Sequence, residues 1–107
     1  MKPLYFENQH RDCIGHEHKF TLYVAFKDDP ELRVIGYIQY TTLDNELYVD
    51  YVEVKEELRR KGIGKELYRK LYELNKDCIF QTSGYYTKAG SEIRKWFNNE
   101  MLGGEAA

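Results

Sequence analysis

Six cations, Arg59, Arg60, Lys61, Lys65, Arg69 and Lys70, lie within twelve residues of the chain. Gly62 and Gly64 stand among them, and Glu66 is the one acid. The segment therefore carries a local charge of +5, six cations against one acid, in a chain whose formal charge is -2. A β-rich run, Leu47 to Val54, leads into it. Ile63, Leu67, Leu71 and Leu74 follow at i, i+4, i+8 and i+11, the spacing of one helix face. A basic, glycine-containing loop that opens a helix is built for an anion. The first helical turn leaves backbone N–H groups unpaired, the helix dipole adds about half a positive charge there, and glycine lets a ligand approach the backbone. Phosphate or pyrophosphate is the chemistry this suits. Two other phosphate motifs fail on spacing. A P-loop needs Ser or Thr after Gly-Lys, but Glu66 follows Gly64-Lys65, and a dinucleotide fingerprint needs a third glycine where Leu67 stands.

Acid–base groups lie on the strand before the loop. Strict alternation puts Tyr48, Asp50, Val52 and Val54 on one face and Tyr51 with Glu53 on the other. His10, Cys13, His16 and His18 place four potential zinc ligands within nine residues. Tetrahedral sites usually draw ligand pairs from two separated places, so this segment reads as a polar N-terminal arm and no metal is expected. Cys78 opens a short apolar strand and reads as core, not as a nucleophile.

The elements that would position these groups are legible as patterns. Phe20–Phe26 alternates with Phe20, Leu22, Val24 and Phe26 on one face. Lys27-Asp28-Asp29-Pro30 is a turn signal. Leu32–Tyr40 reads as a second strand with Gly36 as a bulge or close approach, and Leu47–Val54 as a third. The three should form an antiparallel meander. After the Ile63 helix come a short strand, 78–82, and a second helix face formed by Ala89, Ile93, Trp96, Phe97 and Met101. The order β-β-β-α-β-α predicts a mixed-sheet α/β (α+β) architecture, an antiparallel meander followed by β-α-β-α, with a right-handed parallel crossover.

The chain has 107 residues, 42% hydrophobic and 32% charged, which fits one domain over 1–102 with a flexible tail over 103–107. No stretch approaches the ~20 apolar residues of a membrane helix, and the first residues are too polar for a secretory signal. A cytoplasmic location is expected. Two cysteines make no disulfide framework. The negative net charge argues against nucleic acid as a partner. Ten tyrosines suit a sheet edge, a cleft or a dimer face.

Val54, four residues, then Arg59-x-x-Gly62-x-Gly64 and an amphipathic helix resembles the acetyl-CoA motif of the GNAT superfamily of N-acyltransferases, [QR]-x-x-G-x-[GA]. The specific likeness covers about residues 47–75. Val54 and Leu58 stand where members often carry similar residues, and Glu56 stands where proline is common. The resemblance implies an acetyl-CoA-dependent N-acetyltransferase acting on a primary amine by direct attack. Arg59, Arg60, Lys61, Gly62, Ile63, Gly64 and Lys65 would form the pyrophosphate loop, with the backbone amides of Arg60 to Lys65 in contact. The backbone of Val52 and Val54 would pair with the pantetheine arm, and the Val54 amide would polarise the thioester carbonyl. By the family's habit of an acidic residue on this strand, Asp50 is the first choice for general base and Glu53 the second. The family's acid is a tyrosine near the last helix, which points to Tyr85, although Trp96-Phe97 occupies the usual place inside that helix. Members usually carry two helices between their first two strands, and this chain has no room for both. Its acceptor site is then open, suiting a peptide or protein amine, or closed by a second subunit in a homodimer. A CoA-binding regulatory or interaction module without catalysis is the alternative.

Overall fold

The computed structural model describes residues 2–81 and 88–102, with residues 88–91 described by backbone alone. Period-two patterning builds four long strands, β1 (Leu4–Ile14), β2 (Glu17–Phe26), β3 (Val34–Leu43) and β4 (Glu46–Val54). A 3-10 turn over Glu56–Leu58 leads to helix α1 (Ile63–Leu74). Strand β5 (Ile79–Gln81) and helix α2 (Lys88–Glu100) follow. The sheet order is β1-β2-β3-β4-β5. The first four strands are antiparallel neighbours, and β5 runs parallel to β4. The mixed sheet, the meander and the β-α-β crossover agree with the sequence pattern.

The segment before Phe20 differs from expectation. It is not an arm but β1, paired with β2 along its length through a tight turn at Gly15, whose φ is +61°. The pattern hid it for a physical reason. Most of β1 is exposed, and only Leu4 and Phe6 pack against the core. A strand with little to bury needs no alternating apolar residues. β3 also begins two residues later than expected and runs on to Leu43.

Both helices cover one face of the sheet. Leu22, Val24, Ile38, Tyr40, Leu47 and Val49 meet Ile63, Leu67, Tyr68 and Leu71 of α1 and Phe97 of α2 in one core. The Phe97 ring lies 4.9 Å from Tyr68, 5.2 Å from Phe80 and 6.2 Å from Tyr72, centroid to centroid. Burying such rings supplies much of a small domain's stability. Leu74, expected on the buried face of α1, sits in the last turn and is 45% exposed, while Tyr68 is 1% exposed. No described helix is long and apolar enough to cross a membrane.

A β-bulge in β4 changes the expected faces. Gln39 pairs with Tyr51, but the next residue, Tyr40, pairs with Val49, so Asp50 is an extra residue on β4. A bulge of this kind resets the alternation. Leu47 and Val49 before it, and Val52 and Val54 after it, all point into the helix-covered face. Tyr48, Tyr51 and Glu53 point to the other. The expectation that Tyr48 and Asp50 share a face with Val52 and Val54 is therefore corrected. On the face opposite the helices the rings of Tyr23, Tyr37 and Tyr51 form a row, with neighbouring centroids 6.1 Å apart.

Candidate functional site

β4 has two different edges along its length. Lys55 N–H donates to Ile35 O at 2.9 Å. Antiparallel alternation then turns the N–H and C=O of Val54 and Val52 away from β3. β5 pairs only with Glu46, Leu47 and Tyr48. Among the described residues, no strand lies beside the outer edge of β4 beyond Tyr48. The two strands therefore leave a wedge, closed at Tyr48 and Gln81 and open toward Val54.

The loop sits at the open end of that wedge. Arg59 turns back on the strand: its Nε donates to Val54 O at 3.0 Å and its Nη2 to Glu53 Oε2 at 3.3 Å. Arg60 and Gly62 both adopt left-handed backbone, with φ of +65° and +86°. A non-glycine residue in that region is uncommon and tends to mark a functional loop. Gly62 caps α1 with no side-chain bond. The helical ladder starts with Glu66 N–H to Gly62 O at 3.0 Å, so the N–H groups of Ile63, Gly64 and Lys65 lie outside it. Gly64 is buried for a second reason. A Cβ there would lie 2.8 Å from Ile93 Cδ1, so this glycine lets α2 approach α1. Arg60, Lys61 and Lys65 are exposed around the loop. Lys65 Nζ and the Arg69 guanidinium lie 5.1 and 4.9 Å from the Trp96 ring centroid.

The candidate acid–base groups fall into separate networks. Asp50, exposed at the bulge, accepts from Thr41 Oγ1 at 2.6 Å, and Lys19 Nζ donates to the same Thr41 oxygen at 3.5 Å. Glu53 pairs with Arg59 and accepts from Tyr51 OH at 3.3 Å. Tyr85 lies outside the described residues. A third network was not foreseen. Tyr48 OH donates to Glu46 Oε2 at 3.0 Å, and Gln81 Nε2 donates to Glu46 Oε1 at 3.1 Å. The hydrogen bond to the Glu46 carboxylate holds the Tyr48 phenol above its ordinary range. Alternation alone puts Glu46 and Tyr48 on one face, but only the β5 register brings Gln81 to them.

The N-terminal cluster does not converge. His18 meets His10 Nε2 through Nδ1 at 3.1 Å and Cys13 Sγ through the opposite ring nitrogen at 3.9 Å. His16 pairs with Asp44 at 2.9 Å. Among the described residues no three His, Cys, Asp or Glu side chains are grouped to hold a metal. Cys78 packs against the core, and burial pushes its thiol up, away from the reactive thiolate.

A family model described as the acetyltransferase (GNAT) family matches residues 2–89. The chain belongs to the GNAT acetyltransferase family. A solved structure from Bacteroides thetaiotaomicron, a protein assigned to the GNAT acetyltransferases, is similar at 26% identity with a TM-score of 0.52. That likeness covers 82% of this chain and 47% of the other, so this chain spans about half the length of that protein. No protein of curated function matches the chain. In this GNAT chain the β1–β2 connection is the Gly15 turn, where members usually place two helices.

Proposed function

We propose that the chain is an N-acetyltransferase that moves acetyl from acetyl-CoA to a primary amine of a peptide or protein. The observation that carries this reading is the outer edge of β4, unpaired beyond Tyr48 among the described residues, running straight into the left-handed Arg60–Gly62 loop. An edge that offers the N–H groups of Val52 and Val54 and the Val52 C=O, with Arg59 on the Val54 C=O, suits the two amides of a pantetheine arm, as strand addition suits a peptide. The free amides of Ile63, Gly64 and Lys65, with those of Arg60 to Gly62, suit a pyrophosphate. Arg60, Lys61 and Lys65 add positive charge around it, while Arg59 fixes the end of β4 through Val54 O. Gly62 supplies the left-handed turn, and Ile63 anchors the helix start in the core. The Val54 amide, and that of Val52, point to where a thioester carbonyl would need polarising.

When bound, acetyl-CoA supplies an activated acetyl thioester. The chain's own task is to strip a proton from the amine. Asp50 and Glu53 are the acidic candidates on β4, and Tyr85, just ahead of α2 in the sequence, is the candidate acid. The sheet face opposite the helices, with its tyrosine row, is the surface for a peptide acceptor or for a second copy of the chain. Residues 1–102 act as one unit in this reading, 103–107 as a tail, and the compartment is the cytoplasm.

A melt with and without acetyl-CoA tests the reading. Ligand at 100 times its dissociation constant should stabilise the fold by ~2.7 kcal/mol, a shift of several degrees. Gly62→Glu should abolish the shift, because it puts a side chain and a negative charge on a left-handed residue in the cradle. No shift with millimolar acetyl-CoA would sink the proposal. A second reading, a CoA-binding module without catalysis, draws on the Gly15 turn that stands in place of acceptor-side helices. It predicts the thermal shift with no thiol release in the presence of amines.

A further inference from the structure

Straight across the sheet, Glu7 pairs with Tyr23, Tyr23 with Tyr37 and Tyr37 with Glu53. All four lie on the face opposite the helices, so two carboxylates end one row with two phenol rings between them. The two ring centroids are 6.1 Å apart. Two hollows flank the row and share Val34. One, of about 200 Å³, is lined by Tyr5, Glu7, Tyr23 and Leu32 over the buried Ala25. The other, of about 240 Å³, is lined by Tyr37, Glu53, Val54 and Arg59. Together they form a trough that ends at the corner where β4 meets the Arg59–Gly64 loop. Leu32 is built into its wall. Its backbone is left-handed, with φ of +48°, and its N–H donates to Asp29 O at 2.9 Å. A bulky residue seldom adopts that region, and such strain tends to mark a functional segment.

The trough's charge is met at one end and unmet at the other. Glu53 is paired with Arg59. Glu7 takes hydrogen bonds from two neutral donors, the Tyr5 hydroxyl at 3.4 Å and the Gln9 amide. Among the described residues no cation pairs with it. Lys19 and Arg59 on this face are already paired, with Glu17 and Glu53. One row along, Thr21 lies between Gln9 and Gln39 in the register, 1% exposed, and among the described residues its Oγ1 has no hydrogen-bond partner. Alternation turns that oxygen to the same face as Tyr23. Burial first, then Tyr51, Glu53 and Tyr23, push the Tyr37 phenol up. Its ring stays neutral, and its π face suits a cation.

We propose that this trough binds the acceptor as an extended peptide, with the reactive lysine at the Glu53 end and a second cation, lysine or arginine, four residues away at Glu7. This rests on the acetyltransferase reading and names its substrate class. The spacing follows from two lengths. Glu7 and Glu53 are three strand spacings apart, ~14 Å. An extended chain rises ~3.3 Å per residue, so four residues span the row, and residues i and i+4 point the same way. The reacting end is within reach. Glu53 sits between Val52 and Val54, and a pantetheine arm added beside their amides lies one strand spacing, ~5 Å, outside β4. The four-carbon stem of a lysine covers that gap while its backbone stays over the trough. A second copy of the chain fits less well, because it would bring only cations that are already paired on this face and another unpaired Glu7.

Four terminally blocked peptides test this: Lys-Gly-Ser-Gly-Arg, its reverse Arg-Gly-Ser-Gly-Lys, Lys-Gly-Ser-Gly-Gln, and Lys-Arg-Gly-Ser-Gly with the arginine moved beside the lysine. Affinity is read by chemical-shift titration of the isotope-labelled chain, and kcat/KM by thiol release with acetyl-CoA. One of the two end-spaced arginine peptides should bind about 5- to 10-fold tighter than the glutamine peptide and the adjacent-arginine peptide, what an exposed ion pair and a ring contact are worth together. The same ratio should appear in kcat/KM. In Glu7→Gln, a change at an exposed site, both ratios should collapse to less than twofold. A Glu7 with a merely structural role would leave them unchanged. Equal affinity for all four peptides, or a preference that survives in Glu7→Gln, overturns the proposal. So does a parent dimer in sedimentation that Tyr51→Arg breaks, which gives the face to a second copy. The acetyltransferase reading fails differently. If the parent chain releases no thiol with any amine, catalysis falls, while a spacing preference lost in Glu7→Gln still assigns the trough to a cationic peptide.

Discussion

The two halves of β4 are one strand under two sets of rules. Before the Asp50 bulge, Glu46–Tyr48 has a strand on each side, and Leu47 and Val49 fill the core. After the bulge, Tyr51–Val54 has β3 on one side and, among the described residues, no strand on the other. The first half is a structural element with a polar network at its outer end. The second half is an unfinished sheet, and its free amides meet a loop whose own amides are also free. Among the described residues, β5 pairs with the first half alone, and Arg94 holds the Gln81 carbonyl.

The strongest break in this comparison comes from the core beneath the first half. Leu47 is fully buried, so Leu47→Ala should cost about 2–5 kcal/mol. Val52→Ala, at a half-buried site in the second half, should cost about 1 kcal/mol, nearer the mean of point mutants. Urea denaturation of both variants reads the difference. Equal losses would show that the second half is as tightly packed as the first.

Deleting Asp50 is a subtler break. With the extra residue gone, Val49, Tyr51, Val52, Glu53 and Val54 fall into regular alternation, and every buried residue keeps its face. The variant should fold, melting within about 5 °C of the parent, on the order of 1 kcal/mol. Its acetyl-CoA affinity should nonetheless fall, because the bend that sets the free edge apart from β5 is gone. A variant that fails to fold would show that the bulge is required for the core. One that binds as well as the parent would show that it plays no part in the site.

The smallest effect lies outside both halves. The Arg33 side chain beside Asp29, with the backbone N–H groups of Glu31 and Arg33, holds the Asp29 carboxyl below its usual range. A carboxylate with a depressed folded pKa adds stability that is present above its unfolded pKa, about 3.8. That stability is lost as pH falls through the lower folded value. Melting temperatures between pH 5 and pH 2 should fall slightly more for the parent chain than for Asp29→Asn. Acetyl-CoA affinity at neutral pH should not differ between the two.

Much of this was legible in the sequence, and the exceptions share a cause. The loop Arg59–Gly64, the α1 face and the meander follow from local spacing, because each depends on neighbours within a few residues. What failed depends on pairing. β1 was hidden because its partner strand, not its own burial, holds it in the sheet. The Asp50 bulge reset the faces of β4 because register is decided by β3. The Glu46–Tyr48–Gln81 network needs the β5 register and an anchor on α2 thirteen residues further on. Gly64 was read as ligand access, and the structure adds a packing reason, the approach of Ile93.

The most direct test of the central claim is a titration of the isotope-labelled protein with acetyl-CoA, followed amide by amide in NMR. The account predicts the largest shifts at Val52, Val54 and Arg60 through Lys65, smaller ones at Tyr48 and Gln81, and none at His10, Cys13 or His18 on the distant hairpin. Shifts confined to that hairpin, or spread evenly over the lysines and arginines of the surface, would contradict it.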